Sequence, residues 1–270
     1  MIFVEISFFL FLKNIWYCLF PYFCSMILEN PFFIDTTDST NNLLKSMLAD
    51  HPELPDYFTV ATGFQSAGRG QGTNRWQSDK AQNVLASILF RPIYPPARQF
   101  LLNQCFALSV RSLVAQHVGD VKIKWPNDIY VGNSKIAGIL IEHAIEAERI
   151  KSSIAGVGIN INQTAFAAEI PNPISLKLLT NKTFNIHDMV RDLMACCYKY
   201  QCSNRADDQC VNQEYLDHLY LYQEFAWYEM GGKQVEAEIT GTDLYGRLLL
   251  TDKSGKNYCC GMKEVRLCLK

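Results

Sequence analysis

GFQSAGRGQGTNRW, residues 63–76, holds four glycines and two arginines and almost no apolar bulk. Glycine lets a backbone turn freely and approach a ligand closely. Arginine carries a fixed fork of donors that suits phosphate or carboxylate. Apolar runs flank the stretch: FTVATGF at 58–64 and NVLASILF at 83–90 both read as strands. A flexible cationic loop between two strands is expected to hold a polyanion. Taken alone, such a loop can also be a basic surface turn, so the neighbouring sequence has to decide.

Upstream, Asp38 and Ser39 precede TNNLLKSMLAD, where Leu43, Leu44, Met47 and Leu48 fall at helical spacing. Ser39 or Asp38 is expected to cap this helix. Its free N-terminal N–H groups would also suit an anion or a carbonyl. Downstream, 98–117 reads as an amphipathic helix, 121–125 and 128–131 as strands, and 135–142 as a strand after a Gly-Asn-Ser turn. Residues 152–162 (SSIAGVGININ) give another strand, and helices fill 175–222. The tail alternates over 234–240, 245–251, 258–260 and 265–267, a small all-β module. So short a module has little core of its own and is expected to dock on the larger part. Strands adjacent in sequence with helices in two blocks make the large part α+β.

The chain of 270 residues is 49% hydrophobic and 19% charged, enough apolar content for a sizeable core. A net charge of -2 argues against a general nucleic-acid binder. None of the ten cysteines stands in CxxC spacing, and no His falls in an HExxH pattern. They read as reduced cytosolic thiols packed as small hydrophobes. Residues 1–28 are apolar and aromatic, broken by Glu5, Lys13 and Pro21. A spanning helix needs about 20 apolar residues in a row. A signal peptide puts its positive charge first. The stretch is read as an extension outside the fold from an early start, with Met26 as the working start; an anchor or a degenerate signal are the other readings. The expected division is 1–28, then 30–225 as catalytic domain and 230–270 as β domain.

Four further islands mix polar residues into apolar sequence: DSTN at 38–41, KWPND at 124–128, KIAGIL at 135–140 and GVGIN at 156–160. Singly, Lys135 reads as a solvated edge charge and Asn127-Asp128 as a turn. The glycine loop lacks the GK[ST] ending of a P-loop, and no helix opens after GVGIN as a dinucleotide fold requires. In this order, however, GRG with Trp76, KWPND, KxAGIL and GxGIN resemble the biotin protein ligase family over 38–162. The resemblance is to the monofunctional type, since no helix-turn-helix pattern precedes the first island. It implies a mixed sheet with packed helices, of the class II synthetase-like kind, and a small SH3-like barrel at the C-terminus.

The activity implied is a ligase that joins biotin to ATP as biotinyl-5′-adenylate and passes biotin to a lysine of a carrier domain, such as that of acetyl-CoA carboxylase. Two anions must meet there, and preorganised cations and N–H donors are the means of stabilising the added charge. By resemblance, Lys135 and Arg69 are the catalytic cations, and Asp128 accepts or orients the proton of the incoming amine. Ser39, Thr40, Asn41 and Gln65 hold the neutral biotin ring, with Arg69, Gly70, Gln71, Lys135 and Gly138 around it. Gly68, Arg69, Gly70, Gln71, Trp76, Asn127, Lys135 and Asn160 face the adenylate. Magnesium comes with ATP, with no resident metal; nucleic acid and membrane are not expected as partners, and a homodimer is left open. The expected compartment is the cytoplasm. The alternatives are a lipoate or octanoate ligase of the same fold and a non-enzymatic biotin sensor.

The loop departs from the family's GRGRRGR: Gln71 stands for the second arginine and Thr73 for a glycine. A neutral amide brings no charge to a phosphate, and hydrogen bonds to charged groups contribute about 1.5–3 kcal/mol. The prediction is a lid that leaks adenylate unless Arg75 substitutes. Release of labelled adenylate without carrier should be slower for Gln71→Arg than for wild type; equal release from the two removes the charge argument, and much faster release from Arg75→Ala shows that Arg75 has taken over the role.

Overall fold

The computed structural model describes residues 30–203 and 208–268. The readings of residues 1–28 therefore lie outside the described residues. In chain order the elements are β1 (Phe32–Thr37), α1 (Thr40–Asp50), β2 (Thr59–Gln65), β3 (Val84–Phe90), a 3-10 turn (Pro96–Arg98), α2 (Gln99–Ala115), β4 (Val121–Lys124), β5 (Asp128–Val131), β6 (Ser134–Glu146) and β7 (Arg149–Ile159). Then follow α3 (Leu176–Thr180), α4 (Ile186–Ser203), α5 (Asp208–Asp217), β8 (Phe225–Met230), β9 (Lys233–Thr242), β10 (Leu248–Asp252), β11 (Asn257–Cys260) and β12 (Val265–Leu267).

β1 to β7 form one seven-stranded sheet in the order β1-β2-β3-β7-β6-β5-β4. Only β1 and β2 run parallel; the other neighbours are antiparallel, so the sheet is mixed as expected. β3 is buried at every position, and the alternation of side chains along a strand divides it between two faces. Val84, Ala86, Ile88 and Phe90 enter the main core with α2 and α4. Leu89 joins Leu44 of α1, Val60 and Ile154 on the other face. That second face carries Ser87, Gly156 and Gly158 by the same period of two.

The second sheet has five antiparallel strands in the order β11-β10-β9-β8-β12, compatible with an SH3-like barrel. It starts at Phe225, earlier than the expected tail, because FAWYEM alternates too weakly against its aromatic exposure to stand out. β9 also runs on to Thr242, past the strand end expected at 240, so the turn falls at 243–247 rather than at the expected 241–243. β1 was not foreseen, since FFIDTT is an edge strand with mixed polarity and partial burial. β6 and β7 extend past the expected ends into an exposed, polar hairpin tip that has no apolar pattern to read. Ser39 sits at the N-cap of α1 but its side chain makes no capping bond. Asp38 serves that end instead, accepting from Ser39 N and from the Asn42 side chain.

Tyr228, Ala237, Ile239, Leu248 and Leu250 of the C-terminal sheet join the main buried core, and the β9–β10 turn packs against the β4–β5 turn. Trp125 Nε1 donates to Gly246 O at 2.9 Å, and Tyr215 Oη donates to Pro126 O at 2.7 Å. Gly246 has φ +81°, and a Cβ there would lie 2.3 Å from the Phe100 ring. Overpacking of this kind costs about 1–3 kcal/mol, and the left-handed backbone adds to it. Gly246→Ala is predicted to lower stability by about that amount in urea unfolding; an unchanged midpoint would show that the turn yields without cost.

Candidate active site

The glycine loop closes on itself before it closes on anything else. Trp76 N donates to Gly68 O at 3.0 Å and Gly70 N to Asn74 O at 2.8 Å, with Arg69 and Arg75 bridged between them. A Cβ on Gly68 would stand 2.3 Å from Trp76 O, so a side chain there would pry the loop open. The folded loop carries Trp76 onto the sheet. Gly138 of β6 and Gly158 of β7 are register partners, and the indole lies across both: Cβ atoms built there would come within 3.0 and 2.2 Å of it. The indole N–H is buried with no hydrogen-bond partner.

One rung further, Ser87, Gly156 and Leu140 are aligned across β3, β7 and β6. Asn41 rests over Gly156, where a Cβ would lie 2.2 Å from its Oδ1. It accepts from Ser87 Oγ at 2.6 Å and donates to Leu140 O at 3.4 Å and Glu142 Oε2 at 2.8 Å. Ser87 Oγ also reaches Thr40 Oγ1 at 2.7 Å, and Gln65 Oε1 accepts from Thr40 N at 2.7 Å and from its hydroxyl at 3.1 Å. The result is a connected set of neutral donors and acceptors at the end of α1. Ser39, Thr40 and Asn41 are all buried there.

Between this network and Trp76 lies a cavity of about 140 Å³. It is lined by Ser39, Thr40, Asn41, Gln65, Arg69, Gly70, Gln71, Trp76, Asn127, Asp128, Lys135 and Gly138 among the expected residues. Asn160 lines a second cavity of about 350 Å³, walled by Phe166, Glu169, Ile170, Pro171 and Pro173. Trp76, Lys135, Asn74 and Arg75 line both cavities. Of the expected residues, Gly68 alone lines neither, and it acts through the loop's shape. The amide nitrogens of Asn127 and Asn160 donate to Ile139 O at 3.1 Å and Ile174 O at 3.0 Å, which fixes both side chains.

Lys135 is the second residue of β6 and is held by segment 172–174, its N donating to Asn172 O and its O accepting from Ile174 N. Its Nζ meets Asp128 Oδ2 at 2.7 Å. Lys124 is the register partner of Asp128 across the β4–β5 hairpin. Its ammonium has Tyr130 Oη at 3.2 Å, and burial lowers its pKa. Arg69 turns away from this pair: its guanidinium holds both oxygens of Glu142 at 2.8 and 3.0 Å and Asn42 Oδ1 at 2.9 Å.

Ser87 and Glu142 were not foreseen as site residues. Ser87 is the one polar residue within the otherwise apolar VLASILF strand, and Glu142 follows KIAGILI in phase with Gly138, so a period-two reading of each strand would have marked both.

Residues 33–160 match the model of the Biotin/lipoate A/B protein ligase family. The Bifunctional ligase/repressor BirA of Bacillus subtilis is 28% identical over 208 residues, 74% of this chain and 61% of that protein. The Biotin--[acetyl-CoA-carboxylase] ligase of Paracoccus denitrificans is 30% identical over 128 residues, 46% of this chain and 52% of that protein. The chain thus spans about three-fifths or less of the length of these relatives. In fold it is similar to the biotin protein ligase from Aquifex aeolicus in complex with biotin and ATP, with a TM-score of 0.73 and 20% identity over 89% of this chain and 99% of that one.

Burial opposes ionisation of Glu142, but hydrogen bonds from Arg69 and Asn41 and the charges of Arg69 and Lys45 outweigh it and lower its pKa. A carboxyl lowered on folding stabilises the protein above the unfolded carboxyl range, near 4.3, and loses that effect as pH falls through its folded value. The stability difference between wild type and Glu142→Gln is predicted to be present at neutral pH and to shrink below roughly pH 4. A difference that stays constant down to the acid limit would show that the carboxylate charge contributes nothing.

Proposed function

We propose that the protein is an ATP-dependent biotin ligase that forms biotinyl-5′-adenylate and transfers the biotinyl group to a lysine of a biotin carboxyl carrier domain. The observation that carries this reading is the sharing of Lys135 and Trp76 by two adjoining cavities. One end is lined by neutral hydrogen-bonding groups and the other is broader and partly apolar. A cyclic urea offers donors and acceptors to the Gln65, Thr40 and Asn41 groups that line this end, while the apolar end of a lipoyl or octanoyl group offers none. The adenosine of ATP then takes the cavity walled by Phe166 and Ile170.

In the first step an oxygen of the biotin carboxylate attacks the α-phosphorus of ATP, and the bond to pyrophosphate breaks. Both reactants are anionic and the transition state gathers more charge, so a fixed cation between the cavities lowers the barrier. Lys135 has that position, steadied by Asp128. The loop at Gly68, Arg69 and Gly70 forms the lid over the adenylate and keeps water from the mixed anhydride. In the second step the carrier amine attacks the acyl carbon and AMP leaves with the bonding pair. The amine proton passes to Asp128 or to water beside it. Magnesium enters with ATP as part of that substrate. Cys105, Cys196, Cys197, Cys210, Cys259, Cys260 and Cys268 are free thiols, as suits a reducing cytoplasmic setting.

The test is incubation with biotin, ATP, magnesium and a carrier domain, followed by an avidin blot; labelling of the carrier lysine is expected, and no labelling together with lipoate transfer overturns the reading. Lys135→Ala is predicted to lower biotin-dependent pyrophosphate release by a factor of about 10² to 10³ while unfolding at the wild-type temperature. A normally folded variant with the wild-type rate would remove Lys135 from the chemistry.

A further inference from the structure

The pairing of Arg69 separates two roles that a sequence reading merges. An arginine in a glycine loop is expected to face phosphate, yet here both terminal nitrogens are occupied. One meets Glu142 Oε1 at 2.8 Å; the other meets Glu142 Oε2 at 3.0 Å and Asn42 Oδ1 at 2.9 Å. A two-pronged arginine–carboxylate pair fixes direction as well as distance. Glu142 gives its second oxygen also to Asn41 Nδ2 at 2.8 Å, and Asn41 is buried in the cavity wall. Asn42 and Asn41 both stand in the first turn of α1, so Glu142 ties three elements: the glycine loop, the helix and β6.

We propose that Glu142 is the positioning residue of the glycine loop. It holds the Arg69 side chain against α1 so that the loop's backbone, and not that guanidinium, walls the biotin cavity, while the same carboxylate sets the Asn41 amide toward the biotin head. Arg69 then acts through Glu142, and the cation at the reacting phosphate is Lys135. The pair is about a third exposed, with side-chain exposures of 41% and 34%, so its Coulombic contribution to stability is modest. Its effect is geometric: loss of the pair lets the loop and Asn41 move together. This inference rests on the proposed biotin ligation for its kinetic consequences, but the loop restraint itself does not depend on it.

The experiment compares wild type, Arg69→Gln, Glu142→Gln and the double variant in two assays. In biotin-dependent pyrophosphate release, each single variant should raise the KM for biotin by about tenfold and leave kcat within about twofold, the pattern of lost substrate positioning. The double variant should do no more than either single one, because both remove the same contact. Trypsin cleavage of the native protein after Arg75, read by mass spectrometry, should quicken in all three variants. The result that overturns the proposal is a large fall in kcat for Arg69→Gln with Glu142→Gln near wild type and the two effects multiplying, which would put the guanidinium on the phosphate. Unchanged cleavage at Arg75 in Glu142→Gln would overturn the loop restraint. If wild type releases no pyrophosphate, the ligase reading fails, and the cleavage assay still decides the restraint.

Discussion

Three missing Cβ atoms give the sheet its functional face. Gly138, Gly156 and Gly158 lie on neighbouring strands and in neighbouring rungs, where ordinary side chains would fill the space above the sheet. Their absence lets the Trp76 indole lie across two strands and lets Asn41 span three, each within distances that a Cβ would forbid. The glycine loop can then fold down over a floor of backbone, and the cavity is the gap that remains between the loop and the start of α1. Glycine in a strand interior weakens the strand through its chain entropy and lack of packing. The cost falls on β6 and β7, which are central strands supported on both sides.

Polar satisfaction follows from that floor. Ser87 gives its proton within a fully buried setting to Thr40 or Asn41, and both side chains continue to further partners. A network in which every member has a partner is rigid, and a buried member left without one costs about 1–3 kcal/mol. The charges are kept apart from it by distance and pairing. Glu142 and Arg69 close the network at the rim, whereas Lys135 and Asp128 form a separate pair where the two cavities join. Neutral hydrogen-bonding groups and the Lys135–Asp128 pair thus stand apart in one space.

Much of this was legible in the chain because each feature leaves a local mark. The strands on either side of the glycine loop, the long α2 helix and the order of the polar islands follow from apolar periodicity and from glycine and lysine placed where bulk would be expected. The cap of α1 was left between Ser39 and Asp38 because the two are equivalent in type, and only geometry shows that Asp38 serves the helix end while Ser39 lines the cavity. β1 escaped because a half-exposed edge strand need not alternate, and β8 because Phe225 and Trp227 put exposed aromatics on an interior strand. The direction of Arg69 was hidden for a different reason: its partner is 73 residues away, and the pairing follows from the register of β6 rather than from any pattern in the loop.

That the glycine floor creates the proposed biotin cavity is tested most directly by calorimetric titration of biotin and of ATP into wild type and Gly158→Ala. The account predicts that a methyl group under the indole pushes Trp76 into the cavity and weakens biotin by at least about tenfold, near 1.4 kcal/mol, while ATP binding stays close to wild type and the variant remains folded. Wild-type biotin affinity in a folded Gly158→Ala protein would contradict it.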